Sequence, residues 1–175
     1  MRGGRVARGG AGGTGFSTVT VRPAGDADRA ALFALRHEVF VLEQAVPDAL
    51  ERDEHDPVAE HVVAVDITGR VVGTGRVYRE GAEAYGDRDV GHIGRVAVAR
   101  VARGAGVGAA LVRALEERAV ALGCGVVVLG AQVPAVDFYR RLGYEPYGEV
   151  FDDAGLEHRW MRRRLDKAVI HTTEA

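Results

Sequence analysis

A single cysteine among 175 residues excludes an internal disulfide framework and a multi-cysteine zinc site, and it fits a reducing cytoplasm. Long hydrophobic runs are missing too, and nothing approaches the roughly 20 apolar residues that a membrane helix needs. Charge imbalance is slight. A net charge of −2 with a pI near 6.3 argues against a nucleic-acid or anionic-membrane surface built on bulk charge. Neither an internal repeat nor an interdomain linker appears, and the length suits one domain with one sizeable core. What remains is the composition of an ordinary globular chain, 47% apolar and 27% charged, in which one site is to be sought.

The first fifteen residues, MRGGRVARGGAGGTG, have almost nothing to bury and are expected to be disordered. They lack the apolar centre of a secretory signal, and their want of aromatics counts against an RNA-binding Gly/Arg tail. The domain is expected over 16–166, with 167–175 as a C-terminal tail.

In chain order, TVTVR up to Arg22 alternates and stops at Pro23, which predicts a short strand. Asp26 is a good helix N-cap, and Ala27, Ala30, Ala31, Leu32, Ala34, Leu35 and Val39 supply an apolar face, so a helix is expected to about Phe40. The acidic stretch from Phe40 to Pro57, broken by Pro47, reads as an irregular, partly helical wall for a substrate. His61 to Ile67 and Val71 to Tyr78 flank Thr68-Gly69 as a β-hairpin. Gly73 and Gly75 leave gaps in its second strand where a ligand or another backbone could approach.

After a polar loop at Tyr85 to Asp89, a strand is expected over Ile93 to Val98, then the loop Arg103 to Gly108, then a helix. Val107, Leu111, Ala114, Leu115, Ala119 and Leu122 form its inner face, Arg113, Glu116 and Glu117 point away, and Gly123 ends it. Gly125 to Leu129 is wholly apolar, as in a strand buried on both faces, and implies a right-handed βαβ crossover with a parallel pair. A short helix from Ala135 to Leu142, stopped by Gly143, and a last strand from Glu157 to Leu165, with His158, Trp160 and Arg162 on one side, complete a mixed sheet with helices on its faces.

The glycine loop carries the chemistry. Backbone N–H groups at a helix N-terminus, with the helix dipole behind them, favour an anion such as phosphate, and glycines let its oxygens come close. A triphosphate-binding P-loop needs Lys-Ser/Thr after the last glycine, where Ala109-Ala110 stands. A dinucleotide fold fits Gly104, Gly106 and Ala109 by spacing but wants an acid after the next strand, which ends Leu129-Gly130-Ala131-Gln132.

Arg103, Gly106 and Gly108 also match R-x-x-G-x-G. With Arg95-Val96-Ala97-Val98 before them and Phe138-Tyr139-Arg140-Arg141-Leu142-Gly143-Tyr144 after, the sequence resembles the GNAT superfamily of acyl-CoA-dependent N-acyltransferases, over about Val19 to Leu165. Leu35 to Gln44 and Asp53-Glu54-His55-Asp56 further resemble its ElaA-like branch.

The resemblance implies an α/β (α+β) GNAT fold: a six- to seven-stranded mixed sheet with flanking helices and a splayed parallel strand pair. It implies acetyl-CoA as cosubstrate, with no metal. Its pyrophosphate would lie on the amides of Arg103, Gly104, Ala105, Gly106, Val107 and Gly108, and its pantetheine arm along Val96, Ala97 and Val98. Arg100 and Arg103 would add positive charge. The Val98 amide would hold the thioester carbonyl, Tyr139 would face the sulfur and Gln132 would lie near it. Ala105 departs from the basic or polar residue common in the loop, and Cys124 reads as a small buried residue.

On the acceptor side a base must take the amine's proton. Glu43, Glu54, His55, Asp56 and His61 are available, Glu43 and His61 being taken as catalytic candidates. His55, Asp56 and His61 show no metal-ligand spacing. As partners the resemblance implies acetyl-CoA and a small amine or peptide amine, without nucleic acid or membrane, and it admits a homodimer. Two further readings stand beside N-acetyltransfer. One is a non-catalytic acyl-CoA-binding or sensing module. The other is an acyl-homoserine-lactone synthase, whose order of residues Arg36, Phe40, Asp53, Asp56 and Arg76 imitate, although the tryptophan expected between Phe40 and Asp53 is missing.

Overall fold

The computed structural model describes residues 4–5, 18–81 and 89–166. Most of the Gly/Arg stretch, the loop at Tyr85 to Arg88 and the C-terminal tail from Lys167 lie outside the described residues. The chain divides into two compact units, Met1–Arg76 with Gly94–Leu115, and Val77–Ile93 with Glu116–Ala175.

The first unit contains strands β1 (Gly4–Arg5), β2 (Thr20–Pro23) and β3 (Glu60–Val65), helices α1 (Arg29–Arg36) and α2 (Asp48–Glu51), and parts of β4 (Val71–Glu80), β5 (Val90–Val98) and α3 (Val107–Ala121). β2 runs antiparallel to β3, Thr20 opposite Val65 and Pro23 opposite Val62. The expected disorder fails at two residues: Gly4 and Arg5 pair with Val21 and Thr20, because the outer edge of β2 offers free ladder groups. The hairpin turn is as expected, with Gly69 at φ 85° and the Asp66 carboxylate accepting from the Thr68 and Arg70 amides.

The helix start differs from expectation. A 3₁₀ turn, Asp26–Asp28, precedes α1, and the capping acid is Asp28, not Asp26: its Oδ2 accepts the Gly25 N–H at 2.7 Å while Arg22 grips both its oxygens. Nor does α1 run on to Phe40 as an α-helix. From His37 to Glu43 the chain widens into a π-helix, closed by Gln44 N–H donating to the Val39 carbonyl five residues back.

Leu32, Phe33 and Val63 form a buried cluster with Ala24, Val65 and Val71 against it. The strand glycines have a different purpose from the one expected. A Cβ on Gly73 would stand 2.9 Å from Leu111 Cδ1 and 3.1 Å from both Ala64 Cβ and Val107 Cγ1, and one on Gly75 would stand 2.7 Å from Leu115 Cδ1. The gaps are filled by α3, so they admit a helix and leave no room there for a ligand.

The second unit holds the remainder of β4, β5 and α3, with β6 (Val126–Gln132), α4 (Val136–Arg141), β7 (Glu145–Asp153) and β8 (Leu156–Arg164). β5 and β6 pair in parallel through Val90↔Val126, Gly91↔Val127 and His92↔Val128, as the βαβ reading requires. β6 then pairs antiparallel with β8 from Val126↔Arg164 to Gln132↔His158. β7 went unread in the sequence. Pro146, Gly148 at φ 68° and four acids interrupt its alternation, and its register against β8 shifts between Tyr147 and Phe151. Glu116, expected on the outer face of α3, is 6% exposed: Tyr144 Oη donates to its Oε1 at 2.9 Å and Arg163 to its Oε2 at 2.6 Å. Val112 is buried in place of Ala114 and Leu122, which are half-buried.

Read along the backbone hydrogen bonds, the strand order is β1-β2-β3-β4-β5-β6-β8-β7, a mixed sheet of seven strands extended by the two-residue β1. Among the described residues no helix is long and apolar enough to cross a membrane.

Candidate functional site

The Ala99 N–H donates to the Val72 carbonyl at 2.8 Å. Alternation along β5 therefore turns the Val96 and Val98 amides to the edge away from β4. A 3₁₀ turn (Arg100–Ala102) follows, pinned by buried Ala102, and the backbone then takes φ 78° at Gly104 and 80° at Gly106 before α3 begins at Val107, 2% exposed. Both glycines are needed, since side chains disfavour that left-handed region. Ala110 N–H donates to the Gly106 carbonyl, so the amides of Val107, Gly108 and Ala109 open the helix without intrahelical acceptors. A Cβ on Gly104 would meet nothing within 4 Å, so this surface is open. Outward amides, a helix N-terminus and free space suit a phosphate group.

The loop's cations are engaged. Arg103 donates through Nε to the Val98 carbonyl at 3.0 Å and through its terminal nitrogen to Glu43 Oε2 at 2.9 Å, while Arg100 lies 3.7 Å from the same oxygen. Glu43, a candidate base by sequence, thus sits between two guanidinium groups, at the end of the π-helix that carries it there.

Arg36, Asp53, Asp56 and Arg76, which the sequence showed only as an order resembling that of the lactone synthases, converge in a buried ion network. Arg36, 1% exposed, donates to Glu51 Oε1 at 2.5 Å and to Asp56 Oδ1 at 2.6 Å, and Arg76 donates to Asp53 Oδ1 at 2.6 Å and Asp56 Oδ1 at 2.7 Å. Arg95, at φ 52° inside β5, adds bonds to the Glu51 carbonyl at 3.0 Å and Asp53 Oδ2 at 3.2 Å. Burial by itself would raise the Asp56 carboxyl, but hydrogen bonds from Arg36 and Arg76 overrule it and hold it far below the usual carboxylate range; Asp53 is lowered in the same way. Three arginines face three carboxylates, so the network is neutral within itself and ties α1, α2, β4 and β5 together. It explains the spacing of those residues without a lactone.

His61 Nε2 lies 3.1 Å from the Asp56 carbonyl, which only accepts, so that nitrogen carries hydrogen; burial lowers the ring's basicity. Glu54 is exposed and His55 half-buried, 3.8 Å from it. In the second unit, Gln132 closes β6 and pairs with His158, and Cys124 is buried. Tyr139, on α4, stands edge-on to Phe138 and Tyr144, its ring centroid 5.0 and 5.7 Å away, and burial pushes its phenol up to about 12.

Sequence reasoning passed over His92. It stands just before the strand expected over Ile93 to Val98, whereas β5 begins at Val90 and takes it in. A Cβ on Gly91 would meet Ala119 of α3 at 3.0 Å, so alternation puts His92 on the opposite face. There its Nδ1 lies 2.9 Å from Glu80 Oε1 and 3.0 Å from Tyr78 Oη, with its ring stacked on Tyr78 and edge-on to Trp160. The signal was a lone imidazole in an apolar strand whose neighbouring strand ends in an acid.

An outward strand edge leading into a glycine turn and helix N-terminus belongs to proteins that bind a phosphate-bearing cosubstrate beside a sheet. The family model for an acetyltransferase (GNAT) domain matches residues 21–165, and the chain belongs to that family, whose members use acyl-CoA as cosubstrate. The uncharacterized N-acetyltransferase YjcF of Bacillus subtilis (strain 168) is 39% identical over 132 residues, 75% of this chain and 89% of that protein. Protein ElaA of Escherichia coli (strain K12) is 31% identical over 140 residues, 79% and 88% of the two chains, and its crystal structure aligns with TM-score 0.70 over 83% and 99%. The crystal structure of an acyl-CoA N-acyltransferase from Pseudomonas aeruginosa aligns with TM-score 0.68 at 30% identity, over 83% of this chain and 97% of that one.

Proposed function

We propose that the protein transfers an acetyl group from acetyl-CoA to a primary amine by direct attack in a ternary complex. The observation that carries this is the run from the outward amides of Val96 and Val98 through the turn at Gly104 and Gly106 into α3. In this reading the pyrophosphate lies on the amides of Arg103 to Gly108 and the pantetheine arm along Val96 to Val98, sharing the Val98 carbonyl with Arg103. The Val98 amide donates to the thioester oxygen as negative charge develops on it. Gln132 lies near the sulfur.

Tyr139 is the proposed partner of the leaving sulfur, as a hydrogen-bond donor only. With the phenol at about 12 and a thiol near 8.5, full proton transfer would be uphill by about 5 kcal/mol. The compartment that suits acyl-CoA and one free thiol is a reducing cytoplasm.

Incubation with acetyl-CoA and a panel of primary amines, following released thiol, tests the proposal. Turnover should fall in Tyr139→Phe with acetyl-CoA affinity unchanged. Binding without turnover for any amine would leave the acyl-CoA-binding module as the reading.

A further inference from the structure

Within the proposed acetyl-CoA reading, on which this rests, we infer that Glu43 sets how tightly the protein holds CoA. Its carboxylate competes with the cosubstrate's phosphates for Arg103 and Arg100, and so helps product CoA to leave. Every group involved belongs to the first compact unit, Glu43 to the segment Met1–Arg76 and the arginines to Gly94–Leu115.

The loop's positive charge is already spent. Arg103 is fastened at two points, its Nε donating to the Val98 carbonyl at 3.0 Å and its Nη2 to Glu43 Oε2 at 2.9 Å. Arg100 Nη2 lies 3.7 Å from that same oxygen. Between Val98 and Leu111 the sequence holds no other cation, so one carboxylate faces all the side-chain charge the loop offers to a phosphate. The Arg100 and Arg103 side chains are 76% and 42% exposed and have solvent to swing into, whereas that of Glu43 is 18% exposed and stays beside them.

The backbone is bent to put the acid there. Glu43 ends the π-helix that begins at His37, and Ala45 follows at φ 57°, in the left-handed region that a Cβ disfavours. The wider winding changes the direction residue 43 faces from the one an α-helix of that length would give it. An ion pair at the surface adds little stability. What this one alters is the affinity of the arginines for another anion.

Two effects follow for a pyrophosphate on the amides of Arg103 to Gly108. To reach it, Arg103 must first leave Glu43. Once it is bound, the carboxylate still stands near a ligand of like charge and repels it. Acetyl-CoA and CoA differ only at the sulfur, so both are weakened alike, which raises KM and hastens product release without touching the barrier to acyl transfer. No proton or bond changes hands at Glu43, which separates this role from that of a base.

Titration calorimetry of the full chain with acetyl-CoA and with CoA, in the absence of any amine, tests the assignment. Glu43→Gln keeps the shape and an acceptor for Arg103 but removes the charge. It should bind both ligands roughly tenfold more tightly in low salt, the gain shrinking below about twofold near about 0.5 M KCl, where the charges are screened. In turnover the KM for acetyl-CoA should fall by a similar factor, whereas loss of a base would lower kcat and leave binding as it was. Glu43→Asp, one methylene shorter, should show a smaller gain of the same sign, and stands in if Glu43→Gln fails to fold. An affinity unchanged or weakened, or a gain that persists in high salt, would overturn the assignment. A wild type that does not bind acetyl-CoA would instead bring down the acetyl-transfer reading, and this role with it.

Discussion

Asp56→Asn should destabilise the protein severely. Asp56 is 5% exposed and accepts from Arg36 at 2.6 and 3.1 Å, from Arg76 at 2.7 Å and from the Asp53 amide at 3.2 Å. The amide keeps the shape and one acceptor but removes the charge, leaving the Arg36, Arg76 and Arg95 guanidinium groups to share Glu51 and Asp53. Removing one member of a buried ion pair costs about 3–5 kcal/mol, because a charge is left uncompensated away from water. Against a total stability of roughly 5–15 kcal/mol that is a large fraction. It corresponds to a Tm lowered by roughly 6–20 °C for a chain of this length.

Urea denaturation with an unchanged m-value is the assay. A loss below about 1 kcal/mol would refute the reasoning, since the network would then be behaving as surface ion pairs do. Acid titration supplies a second check. The folded-state carboxyls of Asp53 and Asp56 lie below their unfolded values, so their stabilisation is present above about pH 4 and is lost as pH falls through the folded values. Asp56→Asn should lose less stability than the wild type across that window.

Gly73→Ala should cost about 1–3 kcal/mol by overpacking against Ala64, Val107 and Leu111, read as a lower urea midpoint, and Leu111→Ala should recover part of it in the double variant. Tyr144→Phe takes a donor from buried Glu116 and should lower stability by about 1–3 kcal/mol in calorimetry. Gly104→Ala, at φ 78°, should cost about 1–2 kcal/mol in stability. On the proposed reading, titration calorimetry should show its acetyl-CoA affinity weakened by roughly tenfold; an unchanged affinity would remove the loop from the cosubstrate site.

The sequence made legible what depends on neighbours in the chain. The hairpin at Thr68-Gly69, the stop at Gly123 and the loop at Gly104 and Gly106 follow from local φ preferences and local periodicity, and each is where those predict. Convergence across the chain was hidden. Arg36, Asp56 and Arg76 were legible only as an order of residues and Arg95 only as part of a strand motif, Glu51 drew no notice, and only the fold makes the five partners. Glu116 looked like a solvated helix residue because the Tyr144 and Arg163 that satisfy it lie 28 and 47 positions away. The purpose of Gly73 and Gly75 was misread for the same reason: the side chains that need the space belong to α3. β7 escaped because edge strands tolerate the proline, glycine and acids that a central strand would not.

That irregular β7 has a bearing on how the protein behaves at high concentration. A regular outer strand carrying Val150, 50% exposed, would invite another copy to continue the sheet, the first step toward aggregation. Here Glu145, Glu149, Asp152 and Asp153 set like charges along the edge, Pro146 withholds a donor, and the shifted register between Tyr147 and Phe151 bends the strand out of line. A newcomer would meet repulsion, a missing hydrogen bond and a mismatched pleat, so the same residues that obscured the strand in the sequence keep its edge from acting as a template.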